Sequence, residues 1–140
     1  MVRALALAAV TAAALVVLPG GTASAVATRC PAGSELVAKA PLVASGGERL
    51  GKVRLYVLTD GRFCGELRVA KAYRSTALVA NTSLSVGDAS GVATLGAGGQ
   101  GTQVEALTSD VVATGAQVRY RASLRGTSIG AKAQVRATAP

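Results

Sequence analysis

The chain has 140 residues, half of them hydrophobic, with 15 Lys and Arg against 7 Asp and Glu and a formal charge of +8. It contains no histidine, which removes the Ser-His and Cys-His nucleophile pairs and the imidazole metal sites. Its two cysteines, Cys30 and Cys64, form neither a CxxC pair nor a zinc spacing, and the length allows one domain.

Met1-Val2-Arg3 leads into an apolar run from Ala4 to Leu18, then Pro19-Gly20-Gly21 and Ala23-Ser24-Ala25. A short positive start, a short apolar core and a small-x-small site predict a signal peptide over residues 1–25. The run is short for a span of ~20 residues, and no later run is long enough to cross a bilayer. Residues 26–140 are then a secreted domain, extracellular or held at the cell envelope. In that compartment Cys30 and Cys64 are expected to form a disulfide, worth roughly 3–4 kcal/mol on the chain-entropy model.

Glu35 to Ala38 opens a strand stopped by Pro41, and Ser45-Gly46-Gly47 is a loop. Leu50 to Tyr73 holds the clearest hairpin, turning at Thr59-Asp60-Gly61. A two-residue loop at Asp60-Gly61 puts the apolar residues of the two strands on opposite faces. A three-residue loop with Gly61 in the left-handed conformation pairs Val53 with Leu67 and Val57 with Phe63 on one face. It also sets Arg54 across from Glu66, and Cys64 with Tyr56 on the other face. A one-residue slip flips a whole face, so the three-residue loop is expected.

Thr76 to Val86 alternates as a modestly apolar strand, and Gly87 to Gly91 is a turn cluster. Val92 to Leu95 is a short strand ended by the glycine cluster Gly96–Gly101. Gly96, Gly98 and Gly101 match GxGxxG, but no doubly wound domain fits here, and the run reads as a hairpin loop. Thr102 to Gly115 carries both a capping-box spacing at Thr102 and Glu105 and an alternation. Its β surroundings favour strands broken near Ser109-Asp110. The last element is a second hairpin, Val118 to Leu124 and Ile129 to Val135. A type II′ loop at Gly126-Thr127 pairs Leu124 with Ile129 and Arg121 with Lys132.

These elements predict an all-β fold: a single small β-sandwich or barrel-like domain of six to eight strands. With few aromatics, its core must come from Val, Leu and Ala.

The acids are scattered. Asp60 and Asp88 suit turns, and no spacing joins Glu35, Glu48 or Glu105 into a glycosidase pair. No catalytic residue, metal site or cofactor is expected. Positive charge sits at both ends of the exported segment. Residues 26–74 carry nine basic and four acidic groups, 75–118 carry only three acids, and 119–140 carry five basic groups and no acid. Those five, Arg119, Arg121, Arg125, Lys132 and Arg136, fall on the outward face of the second hairpin and are the candidate anion-binding residues. A solvated face that blocks edge aggregation is the competing reading. Without interleaved aromatics the face is not expected to read nucleic-acid sequence.

The stretch Cys30 to Arg68, with APL, GERLGKVRLY, DG and FCG, resembles small secreted proteins of actinobacteria, in which a GxxxLY-type strand leads through a glycine turn to a cysteine. The resemblance implies export and a β fold and supplies no site residues. Many of those proteins carry further cysteines and an aromatic C-terminal repeat, which this chain lacks. The expected function is a secreted, non-enzymatic binding or structural protein that interacts with an anionic cell-envelope polymer such as teichoic acid. The alternative is a small secreted enzyme or enzyme inhibitor acting through the Gly96–Gly101 loop.

Overall fold

The computed structural model describes residues 28–88, 91–100 and 103–140; the expected leader, residues 1–25, lies outside them. Eight strands follow in order: β1 Glu35–Val43, β2 Arg49–Val57, β3 Arg62–Val69, β4 Val79–Asp88, β5 Gly91–Gln100, β6 Leu107–Val111, β7 Gln117–Arg125 and β8 Gly130–Thr138. They form two four-stranded antiparallel sheets, ordered β1-β2-β3-β6 and β5-β4-β7-β8, so the fold is the all-β sandwich expected. Alternation drives the layering: every second side chain of β2, β3, β4 and β7 points inward, and burying those stripes against each other is what joins the sheets. Leu42, Leu50, Val53, Leu55, Phe63 and Leu67 of one sheet meet Leu84, Val118, Tyr120 and Leu124 of the other in a single core. Tyr120 and Phe63 are the largest side chains buried there, so two of the few aromatics carry much of it.

The first hairpin takes the three-residue loop. Val53 pairs with Leu67, Val57 with Phe63 and Arg54 with Glu66. Gly61 has φ +90°, and Leu58 and Arg62 close the loop, with the Leu58 amide donating to the Arg62 carbonyl at 2.7 Å. Asp60 accepts from the Arg62 amide at 3.2 Å and from its Nε at 2.8 Å. These bonds hold the Asp60 carboxyl below the usual carboxylate range, the backbone one contributing most.

Cys30 and Cys64 are bridged, with their Cα atoms 5.8 Å apart. Cys64 and Glu66 lie on the outer side of β3, yet both are buried, because the bridge lays the Cys30 segment across them. The Cys30 amide donates to Glu66 Oε1 at 2.8 Å. With that oxygen engaged, Glu66 Oε2 turns to Arg68 Nη1 at 3.6 Å, and Arg54 instead donates to the Tyr56 hydroxyl at 3.3 Å. The expected Arg54–Glu66 pair is thus opposite in register but not the ion pair.

Four other expectations are corrected. The first strand does not stop at Pro41: β1 runs on to Val43 with Pro41 opposite Lys52, which an edge strand tolerates because the missing N–H costs it no ladder bond on its open side. The glycine run is not a loop: Gly96 to Gln100 continue β5, paired with β4 from Ser83 back to Val79, and Gly101 lies outside the described residues. The backbone of β4 supplies the ladder bonds that glycine side chains cannot signal. Ser109 and Asp110 lie inside the single short strand β6, where Ser109 donates its hydroxyl to a carbonyl and accepts the Phe63 amide at 3.0 Å. The second hairpin is displaced by two residues. Leu124 pairs with Ala131 and Arg121 with Gln134, and the Gly126 amide donates to the Ile129 carbonyl at 2.7 Å, leaving Thr127-Ser128 as the turn. A slip of two preserves which residues face inward. A Cβ on Gly126 would come within 3.0 Å of Leu78 Cδ2, so this glycine serves close packing beside the turn.

Candidate functional site

Val118, Tyr120, Ala122 and Leu124 of β7 are buried, and that parity forces Arg119, Arg121 and Arg125 outward. On β8, Ala131, Ala133, Val135 and Ala137 pack on the core, so Lys132 and Arg136 also point out. All five predicted cations therefore share the outer face of one sheet.

The ladder orders that face into rows. Arg119 lies between Ser85 and Arg136, Arg121 between Ser83 and Gln134, Ser123 between Asn81 and Lys132, and Arg125 between Val79 and Gly130. The like-charge pair is therefore Arg119 with Arg136, not Arg121 with Lys132. Arg121 and Lys132 sit on a diagonal, about 7–8 Å apart by sheet geometry. Arg121 Nε donates to Gln134 Oε1 at 2.8 Å, which fixes the guanidinium and leaves its outer N–H groups free. Arg119 Nε is buried without a hydrogen-bond partner. No carboxylate occurs among the outward residues of β4, β5, β7 and β8 in the described ladder.

A shallow depression of about 540 Å³ crosses the middle of the face, lined by Asn81, Ser83, Arg121, Ser123, Lys132 and Gln134. Gly96 and Gly98 of β5 continue these rows without side chains, so the depression stays open toward that edge. The site thus combines two cations with hydroxyls and amides, a set suited to an anionic group carried on a hydroxyl-rich chain. It brings Arg121 and Lys132 together, leaves Arg119 and Arg136 as a pair along the same face, and places Arg125 at its end.

No family model, curated protein or solved structure matches this chain.

Asn81, Ser83, Ser123 and Gln134 escape a reading of charge alone. Their parity is legible on each strand, but their meeting depends on β4 pairing with β7, some forty residues later in the chain. Of the Gly96–Gly101 segment, the alternative site, the described part, Gly96 to Gln100, supplies part of this open edge as strand rather than as a loop.

Proposed function

We propose that the protein is exported and works as a non-enzymatic binding protein for anionic cell-envelope polymers, teichoic acid or a similar chain, through the outer face of β4, β7 and β8. The observation that carries this reading is a four-strand face with five cations and no acid among its described side chains, in which Arg119 and Arg136 oppose each other. Like charges directly across a ladder destabilise it. An anionic chain relieves that repulsion and releases its own counterions. The neighbouring hydroxyls and amides add hydrogen bonds to the polymer without selecting a sequence.

The test is retention on immobilised teichoic acid across a salt gradient. Wild type is expected to bind at low salt and to elute steeply as salt rises. Replacing Arg119→Gln, Arg121→Gln and Lys132→Gln together should weaken retention and lower the salt at which the protein elutes, without lowering the melting temperature. Absence of wild-type binding at low salt overturns the proposal. Equal binding by the triple variant removes this face as the site.

A further inference from the structure

The five cations of β7 and β8 are not the only positive cluster among the described residues. On the outer face of the opposite sheet, Lys39 lies across from Arg54, and Lys52 lies between Pro41 and Arg68. After β3 the chain enters a single 3-10 turn, Lys71–Tyr73, anchored by the Ala70 amide donating to the Leu50 carbonyl at 2.8 Å. That turn carries Lys71 and Arg74 back beside β2. Arg74 Nε donates to the Val69 carbonyl at 3.2 Å, which holds its guanidinium in place.

The result is a pocket of about 220 Å³ lined by Arg49, Lys52, Arg68, Lys71 and Arg74, with no carboxylate in its wall. Gly51 forms part of the wall, and a Cβ there would overlap the Arg68 carbonyl oxygen, so β2 and β3 close up only with glycine at this point. The acids nearby lie outside this wall. Glu66 is buried and shared between Arg68 and the Cys30 amide. Glu48 folds back on its own loop, its carboxylate lying beside Gly46. The Lys52 amine is held below the usual lysine range, first by Arg54, then by desolvation and by Arg68, Lys39 and Arg49. Arg54 Nε, on the same face, is buried without a partner. Five cations converge on one concavity, and among the described residues only Arg68 has an ion-pair partner, the buried Glu66.

We propose that this pocket is a second anion site, taking a compact, multiply charged phosphate group, and that it faces the opposite way from the β7–β8 face. The site stands on its own geometry. Its consequence, that one domain bridges two phosphate-bearing chains, rests also on the β7–β8 reading.

The experiment separates the two. The disulfide-bonded protein is titrated with inorganic pyrophosphate and followed by amide chemical shifts. Saturable shifts are expected at Gly51, Lys52 and Lys71 to Arg74. They should persist in the Arg119→Gln, Arg121→Gln, Lys132→Gln variant. They should weaken about tenfold or more in Lys52→Gln, Lys71→Gln, Arg74→Gln, where Arg68 is kept to hold Glu66. Lys71→Glu alone, on the exposed turn, leaves the ladder intact and should weaken them in the same direction. Shifts confined to residues 119–136, or spread without saturation, overturn the pocket. Long-chain polyphosphate then tests bridging. Wild type should cross-link it into a sedimenting network, and each triple variant should bind without cross-linking. Cross-linking that survives both triple variants overturns bridging and leaves the pocket result standing.

Discussion

Tyr120 shows how much of this fold hangs on single residues. It is fully buried, and its ring lies where a side chain on Gly65 would be; a Cβ there would overlap the ring. Gly65→Ala should therefore force the ring or β3 to move, at about 1–3 kcal/mol, read as a lower denaturation midpoint. The phenol oxygen is buried with no hydrogen-bond partner. Burial pushes its pKa well above the ordinary 10.0; the Thr82 hydroxyl works against this, and Glu66 adds to it. Tyr120→Phe keeps the ring and removes the unsatisfied group, so the midpoint should hold or rise. The alkaline limb gives the sharper check. With the folded pKa raised, the unfolded chain loses its phenol proton first as pH climbs past 10.0, and native stability falls from there upward. Thermal unfolding above pH 10 should fall less steeply for Tyr120→Phe than for wild type. An equal slope would mean that the phenol is hydrated in the folded protein.

At the scale of elements, legibility follows from whether local signals conflict when the register is wrong. In the first hairpin, moving by one residue puts Val53 opposite Arg68 and splits the apolar stripe, so the turn and both faces select one answer. In the second, moving by two leaves every inward residue inward, and alternation cannot choose. Gly126 packs close to Leu78, which belongs to the connection before β4, a contact from outside the hairpin that its alternation does not register. The strand β5 is harder still: glycine-rich residues carry no stripe, and only the backbone of β4 makes them a strand. The disulfide is a case in which sequence and structure agree and the structure adds a role. Besides closing the loop from Cys30 to Cys64, it seats the Cys30 amide on the buried carboxylate of Glu66. Reduction should cost roughly 3–4 kcal/mol, measured as a shift in urea midpoint with and without reductant. Because the Glu66 contact is lost with it, Glu66→Gln should lower the midpoint in the oxidised protein and much less in the reduced one. Equal losses in both states would show that the carboxylate acts independently of the bridge.

For the molecule as a whole, the charge blocks seen along the chain become geography. The basic segment up to Arg74 builds β1, β2 and β3 and the pocket beside them. The basic end builds β7 and β8, and the uncharged-to-acidic middle supplies β4, β5 and β6. The asymmetry is legible in sequence, but its division between opposite outer faces is not, because it depends on which strands pair across the chain. On the proposed two-site reading, stability itself becomes a readout of binding. A ligand that binds only the folded state stabilises it by RT ln(1 + [L]/Kd), about 2.7 kcal/mol at a hundredfold excess over Kd. Short polyphosphate should therefore raise the melting temperature of wild type, with each triple Gln variant retaining part of the rise. The combined variant should retain none, since the two faces share no side chain and their contributions should add. Added sodium chloride should erase the ligand-dependent rise, because counterion release drives the binding. The melting temperature without ligand should change little or increase with salt, since salt screens Arg119 from Arg136 and Lys52 from its neighbours. A ligand-dependent rise that persists at high salt would point to contacts made by the hydroxyls and amides of the central depression rather than by charge.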